Sequence, residues 1–190
     1  AHLMRQRCDA CLARLTAMLG ERVMRDTPIV IPEPALRDDD WLHTGKTAWQ
    51  IHVYAAAHSA SDTALYSPQR GVLCVGGLAY RQRVPDLQEG SLPGWQQALR
   101  ALVQLPASIV VGTAIGTPAQ MLHPTLSYFD ALDSAITQAI EAGGDAARAL
   151  DYAPGDAYRD WRNFHPRHAL NVGRAWRELE DRWMQNAPTA

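Results

Sequence analysis

The residues best suited to chemistry fall in a few short stretches of this 190-residue chain. "HSASD" groups His58, Ser59, Ser61 and Asp62: an imidazole, two hydroxyls and a carboxylate. Those are the types from which acyl-transfer triads are built. Triads assemble in space from separate segments, however, and the chain has no G-x-S-x-G nucleophile turn. His58 also follows an Ala-rich strand end and opens a loop, a position from which an imidazole can ligate a metal. "FHPRH" sets His165 and His168 three apart with Pro166 between them, which reads as surface or hydrogen-bonded histidines. His2, His43, His52 and His123 show no partner spacing. "RDDDW" places Asp38, Asp39 and Asp40 before a strand, a solvated turn in preference to a cation site.

Two further stretches narrow the chemistry. "IVVGTAIGTPA" runs from a β-branched strand into a loop, where α/β proteins often hold ligands. Its glycines, Gly112 and Gly116, give G-x-x-x-G and not G-x-G-x-x-G, and Lys46 is the only lysine in the chain. A phosphate cradle needs the tighter glycine spacing, so that reading fails. Cys8 and Cys11 form one C-x-x-C, too few ligands for a structural zinc site. With Leu12, Leu15 and Leu19 they share one helical stripe, which predicts small packed residues. A local disulfide between Cys8 and Cys11 and a redox pair are the alternatives; Cys74 stands alone in an apolar run.

Composition excludes several function classes. A hydrophobic fraction of 47% with 20% charged residues is that of a globular chain able to bury a core. The net charge of −2 supplies no basic field for nucleic acid or an anionic membrane. No run approaches the ~20 apolar residues of a membrane span. Arg5, Arg7, Asp9 and Arg14 interrupt the first twenty residues, which therefore do not read as a signal peptide.

The elements that must position these residues follow from period and punctuation. Residues 3–19 read as an amphipathic helix closed by Gly20. "TPIVIP" predicts a short edge strand between Pro28 and Pro32. Trp49, Ile51 and Val53 alternate with Gln50, His52 and Tyr54, predicting a half-buried strand with His52 on its polar side. "TALYS" and "GVLCVGG" predict a hairpin across "PQR". "SLPGWQQALRALVQL" predicts a helix begun at Ser91 with Pro93 in its first turn. Ile109–Val111 is a strand, and helices follow. One carries Leu126, Phe129, Leu132, Ile136 and Ile140, and another carries Val172, Trp176, Leu179 and Trp183 behind an Asn171 cap. The order predicts one domain over 1–186 with a flexible tail at 187–190. Its sheet is covered by helices on one face and open on the other, half of a sandwich.

Three of these segments together resemble the second half of a metallo-β-lactamase-fold hydrolase. "AAAHSASDTALYSPQRGVLCVGGLAY" resembles that family's histidine loop, hairpin and Gly-Asp-Leu strand end. "IVVGTAIGTPA" resembles its strand ending in Pro-Gly-His-Gly-Thr-Pro, and "DDDWLHTGKTAWQIHVY" its hairpin before the histidine loop. "RCDACLARLTAMLGE", "RVPDLQEGSLPGW" and "FHPRHALNVGRAWRELE" are similar to the zinc metallohydrolases of the quinoprotein relay system, which are exported bacterial proteins.

The resemblance implies an α/β fold, the C-terminal half of a metallo-β-lactamase-like αββα sandwich with a mixed sheet covered by helices. It implies a zinc site to which His58 would give one ligand. The family's His-x-His-x-Asp-His motif does not occur, and the resemblance places it before Ala1. Gly77 stands where the bridging aspartate belongs, and Ile115 where the last histidine belongs. Zinc needs about three protein ligands, so a degenerate, non-catalytic member without zinc is expected. The expected roles are binding or assembly, in the periplasm, with a quinoprotein dehydrogenase system. The partner would be another protein or the chain's own N-terminal half. The rival expectation is a zinc hydrolase completed by that half.

Overall fold

The computed structural model describes residues 2–31 and 36–186, so the predicted tail at 187–190 lies outside the described residues. The chain divides into two compact units, Ala1–Arg37 and Asp38–Ala190. The first holds helices α1 (His2–Leu19) and α2 (Glu21–Met24), separated by Gly20 at φ +89°. A left-handed residue ends α1 where only glycine adopts that angle without strain. The predicted strand at 29–31 does not form, and Pro32 is outside the described residues. Proline removes a ladder donor, and the three residues after Pro28 are too few to recruit a partner.

The second unit is built on a mixed six-stranded sheet. Its strands are β1 (Trp41–Thr44), β2 (Thr47–Ala55), β3 (Ser61–Ser67), β4 (Val72–Gly76), β5 (Ile109–Gly112) and β6 (Ile115–Gly116), in spatial order β1-β2-β3-β4-β5-β6. Neighbours are antiparallel except β4 and β5. A parallel pair requires a crossover, which here contains α3 (Leu92–Val103). Helices α4 (Pro118–Glu141), α5 (Ala149–Tyr152) and α6 (Phe164–Asn186) complete the unit.

Register separates the two faces of the sheet. Gln50, Tyr66, Leu73, Val110 and Gly116 stand opposite one another across five strands. On that face Tyr66, Leu73 and Val110 join Trp95, Leu99, Leu122 and Phe129 of the helices in one buried core. The next row is Ile51, Leu65, Cys74, Val111 and Ile115, all on the other face. This second face is apolar as well, and Ile115 at its end is 66% exposed. His52 pairs with Ala64 and so lies on the helix-side face, with Tyr54, which packs against the core. The expected polar side for His52 is thereby corrected. Alternation gives two faces, and only pairing decides which one meets the helices.

Asn171 is also corrected. It caps nothing: α6 begins seven residues earlier, with Pro166 in its first turn, where the missing N–H is harmless. Asn171 is fully buried and knits three elements. Its Oδ1 accepts from Leu87 N–H at 3.0 Å, and its Nδ2 donates to Pro85 carbonyl at 2.8 Å and to Tyr128 hydroxyl at 3.1 Å. Tyr128 in turn meets His168 Nδ1 at 3.2 Å, and burial depresses the His168 pKa. His168 is thus the hydrogen-bonded histidine its spacing suggested, while His165 is exposed. Replacing Asn171 by Ala strands these donors and acceptors in the core, at about 1–3 kcal/mol for each unsatisfied group. Urea unfolding of Asn171→Ala is expected to show a loss of roughly 3 kcal/mol.

Candidate functional site

The loop after β2 is clamped before its side chains are considered. Ala56 turns the chain at φ +51°. Ser91 N–H then holds Ala57 carbonyl at 3.0 Å. The backbone approaches so closely that a Cβ on Gly90 would fall 2.1 Å from Ala57 O, and one on Gly94 2.3 Å from Ala56 O. Only glycine fits at either position. The start of α3 is itself fixed from α6. Glu178 accepts from the Ser91 hydroxyl at 2.6 Å and from Leu92 N–H at 2.9 Å, and Arg174 donates to Gly90 carbonyl at 3.1 Å. A carboxylate at that position also meets the positive end of the α3 dipole.

From this clamped loop His58 lies over Gly77 and edge-on to Trp95. The His58 and Trp95 ring centroids are 5.1 Å apart at 78°. Trp95 is fully buried and fixed by its indole N–H on Leu78 carbonyl at 2.9 Å. A Cβ on Gly77 would lie 2.9 Å from His58 Cε1, 3.0 Å from Nδ1 and 3.2 Å from Nε2. The imidazole therefore fills the space that a side chain at 77 would enter. His58 Nδ1 stands 3.5 Å from Asp62 Oδ1, with 35% of the imidazole and 11% of the carboxylate exposed.

Asp62 accepts from Ser59 N–H at 2.8 Å and from the Ser59 hydroxyl at 3.0 Å. Burial alone would raise its pKa, but the hydrogen bonds from His58 and Ser59 outweigh it and hold the carboxyl below its ordinary value. Asp62 is an anion that orients His58. The Ser59 hydroxyl bonds that carboxylate and Ser61 carbonyl at 3.1 Å, and no hydrogen bond joins it to the imidazole. "HSASD" is therefore not a nucleophile–base pair.

The third position lies apart in character. Ile115 sits on β6 opposite Val111 and presents an exposed aliphatic chain. The loop it begins becomes a helix start: Thr117 N–H donates to Gln120 Oε1 at 3.1 Å, closing a capping box with Pro118 as the first helical residue.

Comparison with known proteins identifies the architecture. No family model matches the sequence, and no curated protein matches it. The stereoselective inverting sec-alkylsulfatase Pisa1 from Pseudomonas sp. superposes with a TM-score of 0.62 at 14% identity, over 84% of this chain and 28% of that one. A metallo-beta-lactamase family protein from Thermus thermophilus superposes with a TM-score of 0.58 at 18% identity, over 94% of this chain and 60% of that one. The fold is that of the metallo-β-lactamase superfamily. The chain spans less than two thirds of the length of either structure.

The metallo-β-lactamase fold implies zinc, and the residues at the three positions that the sequence resemblance matches to its ligands do not fit that ion. Positions 58, 77 and 115 offer one imidazole, no side chain and an aliphatic chain, where about three ligands are required. The cradle beside Gly77 is already occupied by the His58 ring, so a carboxylate there would collide with it.

Cys8, Cys11 and Cys74 are free thiols; Cys11 is exposed and Cys8 half-buried, which corrects the expected packed pair. Leu15 and Leu19 of the same stripe are 44% and 53% exposed. Sequence reasoning missed Trp95 and Glu178 as supports of His58. "SLPGW" carried the only signal, a glycine kept inside a helix start.

The Asp62 pKa is lower folded than unfolded, so its stabilisation is full above its ordinary value near 4 and fades as pH falls through the folded value. Asp62→Asn is expected to flatten the acid limb of a stability–pH profile and leave its slope above about pH 6 unchanged. Gly77→Ala is expected to displace the His58 ring, a partly exposed side chain that can give way, read as a shifted His58 ring resonance with little change in the urea midpoint.

Proposed function

We propose that this chain is a non-catalytic metallo-β-lactamase-fold protein that serves as a binding or assembly subunit. The observation that carries this reading is the His58 ring lying against Gly77. The place of a metal-binding carboxylate is taken by the one imidazole that remains. Ile115 supports it, because an aliphatic residue contributes no electron pair to a metal.

The assembly role rests on the second sheet face. A row of apolar side chains from Ile51 to Ile115 lies opposite the helix-covered core, and Ile109 beside it is 43% exposed. Sheets of this kind bury such a face against another layer. The occupant we propose is the N-terminal half of the sandwich, from the same precursor or from a partner chain. Periplasmic location and a quinoprotein dehydrogenase context rest on the resemblance of "RVPDLQEGSLPGW" and "FHPRHALNVGRAWRELE" alone.

One observation favours a second reading. His58 is oriented by a carboxylate and a third of it is exposed, as a ligating histidine would be. In that reading the other half supplies the remaining ligands of a zinc hydrolase. Comparing the purified protein with its His58→Ala variant decides. The expected result is that His58→Ala changes neither bound zinc nor ester or lactam hydrolysis. Stoichiometric zinc or turnover lost with His58 would overturn the non-catalytic reading.

A further inference from the structure

A second group of ligand-type side chains lies at the β1–β2 end of the sheet. Asp38, Asp39 and His52 each bring one ligand atom to within 4.8 Å of the other two. The aspartates and the histidine are distant in sequence and meet because the 38–40 segment runs beside β2. Asp39 N–H donates to Ile51 carbonyl at 2.9 Å, and Ile51 N–H to Asp40 carbonyl at 2.9 Å.

Each carboxylate is held by one of its oxygens. Asp38 Oδ1 accepts from Val53 N–H at 2.8 Å, and Asp39 Oδ1 from Gln50 Nε2 at 3.2 Å. Among the described residues the second oxygen of each carries no hydrogen bond. His52 Nε2 is closed to solvent without a hydrogen-bond partner. A buried polar atom without a partner costs free energy, and the described residues around this ring supply none. The negative field there is also felt by its neighbours. Burial first, and then the Asp38 charge, push the Tyr54 phenol up to about 12.

We propose that Asp38, Asp39 and His52 bind one divalent transition-metal ion of the zinc class, at a site separate from the His58 loop. An imidazole with two carboxylates suits zinc or cobalt over magnesium or calcium, which prefer oxygen alone. Ligand atoms sharing one zinc at about 2.1 Å stand roughly 3–4 Å apart, so two exposed aspartates need to close only slightly. Water would fill the remaining coordination positions. The ion would tie the 38–40 segment to β2 and give the orphaned His52 ring a partner.

The test is calorimetric titration of zinc into the full chain carrying Cys8→Ser and Cys11→Ser, which removes these two thiols as competitors. One zinc per chain is expected. Asp39→Asn is the cleaner variant: Asp39 sits at φ +62°, which asparagine tolerates, and the amide oxygen still accepts from Gln50. Asp39→Asn and His52→Gln are each expected to weaken zinc at least ten-fold, while His58→Ala leaves the affinity unchanged. Absence of binding in the parent chain, or undiminished affinity in Asp39→Asn with its fold intact, would overturn the proposal. Loss on His58→Ala alone would overturn it too, and would also count against the non-catalytic reading, so the two failures are separable.

Discussion

Glu178 is the residue on which the loop end of the sheet depends. Its two oxygens take the Ser91 hydroxyl and the Leu92 N–H, and thereby fix where α3 begins. Hydrogen bonds to a charged group are worth about 1.5–3 kcal/mol each, the strong end of the range. With α3 fixed, Gly90 and Gly94 press against the 56–57 backbone, and Trp95 is delivered beneath His58. The His58 position is therefore set by α6, far later in the chain, through a carboxylate it never touches. Such long-range positioning marks a rigid site, whether or not it holds anything.

The sheet is a boundary between two unequal environments. On one side Trp95, Phe129 and Tyr128 form an aromatic cluster, with Trp95 and Phe129 centroids 4.8 Å apart. Truncating a buried tryptophan of this kind costs about 3–5 kcal/mol, so that face carries the stability of the unit. The other side is as apolar along its rows yet lies outside that core. A face that need only cover a core has no reason to keep isoleucine at 51 and 115, valine at 111 and leucine at 65 in one cross-strand row. A face that meets another layer does.

Much of this was legible in the sequence, and the failures share a cause. The hairpin at 61–76, the α3 start at Ser91 and the α4 stripe follow from local turn chemistry and period, and all stand where those signals put them. The side on which His52 lies, the burial of Asn171 and the pairing of the 38–40 segment with β2 depend on contacts between distant segments. Asn171 looked like a cap because asparagine is common at caps. In the structure it is a connector, whose amide is taken up by Leu87, Pro85 and Tyr128. Half of the candidate site was readable as residue identities: His58, Gly77 and Ile115 could be named. That His58 rests on Gly77 could not, since no spacing rule brings residues 58 and 77 into van der Waals contact.

That contact bears on how a site of this kind can change. Gly77, the position that the resemblance matches to the bridging aspartate, has no empty space beside it, because the neighbouring imidazole fills it. Placing a carboxylate there would require the His58 ring to move, and that ring is held by Asp62 on one side and by the buried Trp95 on the other. A single substitution toward a metal site at this loop end therefore meets resistance from residues it does not replace. Packing couples neighbours in this way wherever side chains touch, and coupled sites do not respond additively. The clamp of Glu178, Gly90 and Gly94 fixes the backbone from which the His58 ring reaches Gly77.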